Sequence, residues 1–329
     1  MKGHMLKKED YAALMSCATV QDAAGYLRSS TPYRDVLSHA DINTVHRGLL
    51  ENLLRKNAFM TYIRITGFEQ LNKQEFYNFR IIWAEIQEIL RIIRFINAGS
   101  DGYINDAPMY INDYISFDLL DLAQVKSFEE LAAFFGKKGY GDVLRRFVPQ
   151  KGEKADYTAC EMALRRQYYS RIMKSADKFD DDISGRLKEL IGTHNDLTNI
   201  INSYRMKLYF HEDDEHISEM MLPYGRITSK KLPELYEYAD AERFASQLSK
   251  TKYGRFMKQR GIEGEEFESA VFRLKYLYAR RALSISQDAP LSVYAFSYLA
   301  DNEVSNIIRV IESIRYNMPQ SETERLLVI

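Results

Sequence analysis

The chain has 329 residues, 46% of them apolar and 28% charged, which is enough for a packed core and argues against global disorder. Its formal net charge of −1 lacks the basic surplus of a nucleic-acid-binding protein. Two cysteines, Cys17 and Cys160, make neither a disulfide framework nor a CxxC pair, which predicts a reducing compartment. The opening "MKGHMLKKEDY" has no apolar h-region, so a signal peptide is not expected. No stretch reaches the ~18 uninterrupted apolar residues of a membrane span, so any membrane role is peripheral. Seven prolines, sixteen glycines and no sustained period-two alternation predict an all-α fold. The 23 tyrosines suit a protein with much half-buried boundary surface.

In chain order, "GHM" at Gly3 opens an amphipathic pair of segments, "EDYAALMSCATVQDAAGYL", which runs on to "YRDVL" at Tyr33. The richest apolar run, "IIWAEIQEILRIIRFI", comes next, broken by Glu85, Glu88, Arg91 and Arg94. Within it Ile86, Ile89, Leu90 and Ile93 form the stripe of an amphipathic helix. The order then repeats: "GYI" at Gly102, "FDLLDLAQVKSFEELAAFF", "YGDVL" at Tyr140, and the stripe Leu197, Ile200, Ile201, Tyr204. A third round brings "GRI" at Gly225, "LPELYEYADAERFASQL", "YGRFM" at Tyr253, and the stripe Val304, Ile307, Ile308, Ile311. The heptapeptides "NDLTNII" (195–201) and "NEVSNII" (302–308) are identical or conservative at every position.

An acid stands just before each stripe: Glu85, Asp196 and Glu303. Three residues on come Glu88, Asn199 and Asn306. On a helix these two positions flank one edge of the stripe and are expected to be half-buried. The preceding tyrosine lies 52, 56 and 50 residues before the acid. The chain therefore reads as three diverged copies of one helical unit of ~110 residues, at 1–101, 102–223 and 224–329. Three such units are expected to pack around a pseudo-threefold axis, each stripe buried against its own unit, in a body with two unlike ends and a central hollow that holds something along its axis.

Chemical motifs are weak. "FHEDDEHI" has Glu215 where a zincin needs its second histidine, and His211 and His216 are five apart, so a solvated acidic turn is expected and no metal. "FDDDIS" and "NDLTNIINS" loosely suggest the two Mg²⁺ motifs of a terpene synthase, a remote third reading. Ser184 stands where the last aspartate belongs, Asn199 and Ser203 replace the expected hydroxyl and glutamate, and the two stretches lie too close for opposing helices. "GKKGYGD" from Gly136 lacks the Gly-Lys-Ser/Thr ending of a P-loop and reads as a basic interhelix turn. Cys17 and Cys160 read as small buried residues. The pairs Arg145-Arg146, Arg165-Arg166 and Arg280-Arg281 read as solvated faces or internal ion pairs, with contact to an acidic partner or lipid headgroups as the second reading. No catalytic residue, cofactor or small-molecule substrate is expected.

The ordered set "GHMLKKEDYAALMSCATVQDAAGYLRSSTPY", "LTNIINSYRMKLY…MLPYGRIT" and "YLADNEVSNIIRVIESI" resembles the V/A-type ATPase component known as C in bacteria and archaea and as d in eukaryotes, over essentially the whole chain. The last stretch is similar to the family's acid-x-x-Asn-Ile closing helix, with Arg309 after it. The resemblance implies a non-catalytic funnel of three helical units on the cytoplasmic face. It also implies two partners, the foot of the central stalk and the membrane rotor ring, with torque passing between them. Glu303, Asn306 and Arg309, then Asp196, Asn199 and Glu85, are the candidate partner-contact residues; bracing a helix within its own unit is the alternative for the acids. The family usually carries an extra arginine-bearing helical stretch before "GHML", whereas this sequence starts almost at that glycine. A helical scaffold for some other partner is the runner-up.

Overall fold

The computed structural model describes residues 5–68, 70–136, 139–150, 152–227, 231, 233–237, 240–262 and 265–329, and every regular element among them is helical. Gly3, Lys137 and Lys138, which belong to the motifs "GHM" and "GKKGYGD", lie outside the described residues. The chain forms two compact units. The larger comprises residues 1–70, 181–221 and 225–329; the smaller comprises 71–180 and 222–224.

The larger unit begins with α1 (Lys8–Met15), α2 (Val20–Ser30), α3 (Arg34–Leu37) and the long α4 (Arg47–Phe68). The smaller holds α5 (Phe79–Ala98), α6 (Tyr103–Asp106), α7 (Leu119–Leu122), α8 (Phe128–Phe134), α9 (Tyr140–Leu144) and α10 (Tyr157–Ala176). The chain returns to the larger unit with α11 (Asp181–Leu208), α12 (Asp214–Glu219), α13 (Pro233–Tyr236), α14 (Ala241–Ser249) and α15 (Lys252–Arg260). It closes with α16 (Phe267–Ile285), α17 (Ala289–Arg315) and α18 (Gln320–Leu326).

Local chemistry sets the helix ends. The Thr19 hydroxyl accepts from the Asp22 backbone N–H at 3.0 Å while Asp22 accepts from the Thr19 N–H at 3.1 Å, a reciprocal cap that starts α2. Ser127 and Asp240 cap α8 and α14 by accepting from the third residue onward. Pro290 sits in the first turn of α17, where its missing N–H costs nothing. Gly254 permits the turn into α15, since a Cβ there would lie 2.4 Å from the Leu248 carbonyl oxygen.

Among the described residues of the larger unit, two apolar clusters stand out. In one, Leu197, Ile200, Ile201 and Tyr204 of α11 pack with Ile217, Leu235, Phe244, Tyr253 and Leu274. In the other, Val304, Ile307, Val310 and Ile311 of α17 pack with Leu14, Ala24, Leu27, Leu37, Leu50 and Leu54 near the N-terminus. Each fully buried leucine or isoleucine contributes roughly 1.5–3 kcal/mol. The α11 stripe therefore packs on helices downstream of it, and the α17 stripe returns to the start of the chain. Both differ from the expectation that each stripe buries against its own unit. Helical spacing sets which face of a helix is apolar, but not which segment of the chain covers that face. In the smaller unit α5 packs on α10. Trp83 meets Tyr168 at 5.1 Å between ring centroids, and the Asn97 amide bonds both ways with the Ala155 backbone at 2.9 and 3.0 Å.

Candidate functional site

The acids before the stripes are the polar centres of the structure. Glu303 on α17 accepts from the Leu6 backbone N–H at 2.6 Å and from the Tyr33 hydroxyl at 2.8 Å. Asp196 on α11 accepts from the Arg226 and Ile227 N–H groups at 2.8 and 3.0 Å and from the Tyr253 hydroxyl. In the smaller unit Glu85 on α5 accepts from the Ser116 N–H and the Tyr140 hydroxyl, both at 2.6 Å. The same clamp thus occurs three times: one carboxylate, one or two loop N–H groups, and the tyrosine of the "Y-R/G" turn. Glu85 and Asp196 each bond the anchor tyrosine that comes next in sequence. Glu303 has no such tyrosine after it and bonds back to Tyr33.

The expectation of half-burial is corrected by the structure. Glu85, Asp196 and Glu303 are 4%, 1% and 5% exposed, and Glu88, Asn199 and Asn306 are 1%, 3% and 0% exposed. Helical periodicity places these side chains at the edge of a stripe, but it says nothing of the loops that cover that edge. Burying a carboxylate is tolerable only because N–H and O–H donors replace its water.

The neighbouring position carries a second set of bonds. Glu88 accepts from the Tyr103 hydroxyl at 2.9 Å and pairs with Arg91 at 3.3 Å. The Asn306 amide donates to the Val328 carbonyl at 2.9 Å and accepts from the Val328 N–H at 3.1 Å, which fastens the chain after α18 to α17. Arg309, half-buried, donates to the Asn306 side-chain oxygen at 2.8 Å. Leu6, Ser116 and Val328 complete these contacts and carry no signal in the sequence, because each contributes backbone groups, which leave no motif.

Burial raises the Asp196 carboxyl above its usual range, opposed by the Tyr253 hydroxyl and the two backbone N–H bonds. Burial likewise pushes Glu303 up to about 7, opposed by Tyr33 and Leu6. Desolvation beside the carboxylates holds the phenols of Tyr33, Tyr140 and Tyr253 far above their ordinary value, so they stay protonated and remain donors. The arrangement joins loops to helices.

Gly225 is a geometric requirement of one clamp. A Cβ there would lie 2.3 Å from the Asp196 Oδ1. Gly225→Ala is expected to cost about 1–3 kcal/mol in urea unfolding, because that carboxylate is fixed by its donors and cannot yield. Gly102→Ala is the comparator: its nearest contact would be the movable Phe95 ring at 3.4 Å, and the loss should be smaller.

The other motifs have local roles. Asp213 of the acidic run accepts from the His216 N–H to cap α12, and Asp214 pairs with Lys207 at 2.6 Å. Asp182 pairs with Arg186 at 2.6 Å, and Asp196 of the second acid-rich stretch spends both oxygens on its clamp. Cys160 is buried, its thiol pushed up to about 12 by desolvation, while Cys17 is only partly buried. Arg165 pairs with Glu161 at 2.6 Å and lies over Trp83, and Arg145 pairs with Asp142.

These features define a protein that is all-helical among the described residues and braced by buried acid–tyrosine clamps. The family model described as ATP synthase (C/AC39) subunit matches residues 1–326, and the chain belongs to that family. It is 23% identical over 342 residues to the C subunit of the A-type ATP synthase of Methanococcoides burtonii, spanning all of this chain and 91% of that protein. It is 23% identical over 276 residues to the protein of that name from Thermococcus kodakarensis, covering 83% of this chain and 71% of the relative. The match to the Pyrococcus horikoshii protein of that name is 26% identical over 185 residues and covers 55% of this chain but only 49% of the relative. The family is a non-catalytic one within the synthase.

Proposed function

We propose that this chain is the coupling subunit of a rotary A/V-type ATPase. It joins the central stalk to the membrane rotor ring and carries torque between them, for ATP-driven or ATP-synthesising transport of protons or sodium ions. The observation that carries this reading is the family match over residues 1–326, together with relatives named as the C subunit of A-type ATP synthases. No helix among the described residues is long and apolar enough to cross a membrane. On this reading the chain sits peripherally at the cytoplasmic face and is held by other subunits.

A torque-bearing part must not shear, and the acid–tyrosine clamps suit that demand. In this reading there are three units, near 1–101, 102–223 and 224–329, with the last closing on the first through Glu303 and Tyr33. Glu303, Asn306, Arg309, Asp196, Asn199 and Glu85 then serve partner contact from inside, by fixing the elements that present the contact surfaces.

The test is co-purification. A C-terminal tag in the native host, mild detergent and mass spectrometry should recover central-stalk subunits and the ring proteolipid in stoichiometric amounts. Recovery of the chain alone, with the ATPase subunits elsewhere, would remove the coupling role and favour a scaffold for another partner.

A further inference from the structure

The stretch after the third clamp tyrosine departs from the other two. Two residues after Tyr33 and Tyr140 stand acids, Asp35 and Asp142; two residues after Tyr253 stands Arg255. The segment from Lys250 to Arg260, which holds α15, carries five cations and no acid: Lys250, Lys252, Arg255, Lys258 and Arg260. Lys252 is half-buried and the other four are exposed.

Among the described residues, none of the five bonds to a carboxylate. Lys250 donates to the Gln247 side chain at 3.0 Å, Lys252 lies over the Tyr253 ring at 4.8 Å, and Arg260 lies over the Phe256 ring at 5.0 Å. Asp196 and Glu189 attract Lys252 without bonding it. The described acids that follow α15 are spent elsewhere. Glu265 pairs with Arg273 at 3.0 Å, Glu266 accepts from the Glu268 and Ser269 N–H groups, and Glu268 pairs with Arg205. Exposed cations in other parts of the chain do meet acids: Arg55 pairs with Glu51 at 2.8 Å, and Lys126 and Lys178 pair with Asp101 and Glu75 at 2.7 Å. In a chain of net charge −1, α15 is therefore a local positive face.

The helix is two-sided. Tyr253 and Met257 are buried in the apolar cluster around α11, so the cations occupy the outside. From Lys252 to Arg260 they spread over about 12 Å of helix, more than one small anion can span. Aromatic rings underlie them: Phe256 meets Tyr278 of α16 at 4.9 Å between centroids, and Arg281 of α16, also exposed, acts on the Tyr278 phenol. Cations on long stems beside aromatic rings suit a membrane interface.

We propose that the outer face of α15 docks on the anionic headgroups of a lipid surface. The cations lie on flexible stems along one helix, with no fixed geometry to select the carboxylates of an acidic protein, whereas headgroup phosphates need only a matching sign of charge. The proposal rests on the coupling-subunit reading for its placement, since that reading holds the chain at the cytoplasmic face, where the leaflet itself is anionic.

Sedimentation of the purified full chain with vesicles tests this without any other subunit, so its outcome is separate from that of the co-purification. The chain should bind vesicles of mixed phosphatidylcholine and phosphatidylglycerol, leave those of phosphatidylcholine alone, and be released by added salt. Arg255→Ala, Lys258→Ala and Arg260→Ala should each weaken the partition about fivefold, and the three together on the order of 100-fold. The comparator is the triple alanine variant of Arg55, Lys126 and Lys178, which changes net charge equally but removes paired cations, and it should bind as the wild type does. Equal binding to both vesicle types, or equal losses in the two triple variants, would overturn the proposal. A chain that ignores anionic vesicles but is retained by immobilised poly-glutamate through Arg255, Lys258 and Arg260 would overturn it in favour of an acidic protein partner.

Discussion

Asp196→Ala is expected to destabilise the chain by about 3 kcal/mol, since it leaves three donors without their acceptor around a side chain that is 1% exposed. The donors are the Arg226 and Ile227 N–H groups and the Tyr253 hydroxyl. The energetics have an opposing part. Burial raises the Asp196 carboxyl, so the ionised side chain carries a desolvation penalty that alanine would relieve. The donors decide the sign because two are backbone groups fixed by the turn and cannot reorient toward solvent. Asp196→Asn keeps one acceptor and the volume, and should recover part of the loss. Tyr253→Phe removes one donor and one bond together and should cost least. Urea unfolding of the three variants gives the order directly. An alanine variant as stable as the wild type would mean that the clamp contributes nothing net.

Ile307→Ala is expected to lose about 2–5 kcal/mol, by removing a fully buried side chain and leaving a cavity. Ile307 is 0% exposed in the cluster that seats Leu14, Leu27, Leu37, Leu50 and Leu54 against α17. The adjacent Ile308 is only partly buried, so Ile308→Ala should cost distinctly less. The pair reports on more than stability. If α17 holds the N-terminal segment, the Ile307 variant should be cut within residues 5–45 by limited proteolysis faster than the Ile308 variant. Equal cleavage would mean that the segment is held elsewhere.

The helices and their apolar faces were legible in the residues themselves. Ile86, Leu197 and Val304 begin stripes at helical spacing, and every stripe residue except the partly buried Ile308 is buried as that spacing requires. The acids and tyrosines were visible as recurring anchors, because a clamp needs a carboxylate and a hydroxyl at set places on each copy. Which tyrosine meets which acid was not visible. The distances of 52, 56 and 50 residues paired each acid with the tyrosine before it. The structure pairs Glu85 with Tyr140 and Asp196 with Tyr253, 55 and 57 residues onward, and Glu303 with Tyr33. In a repeating chain both assignments satisfy the spacing nearly equally, so spacing cannot separate them.

The depth of the polar side chains was likewise a tertiary matter. Glu85, Asp196 and Glu303 stand beside an apolar stripe in sequence, where half-burial is the natural expectation. Full burial depends on loop N–H groups at Leu6, Ser116, Arg226 and Ile227, and backbone donors exist at almost every residue and so mark no position. By itself, then, the sequence determined the all-helical class, the three stripes and the family, since these come from local periodicity and side-chain order. Only the tertiary structure decided the clamp pairing, the return of α17 to the N-terminal segment and the raised Glu303 carboxyl. Each of those depends on which distant backbone and apolar surface closes over a given helix edge, and the local code leaves that choice open.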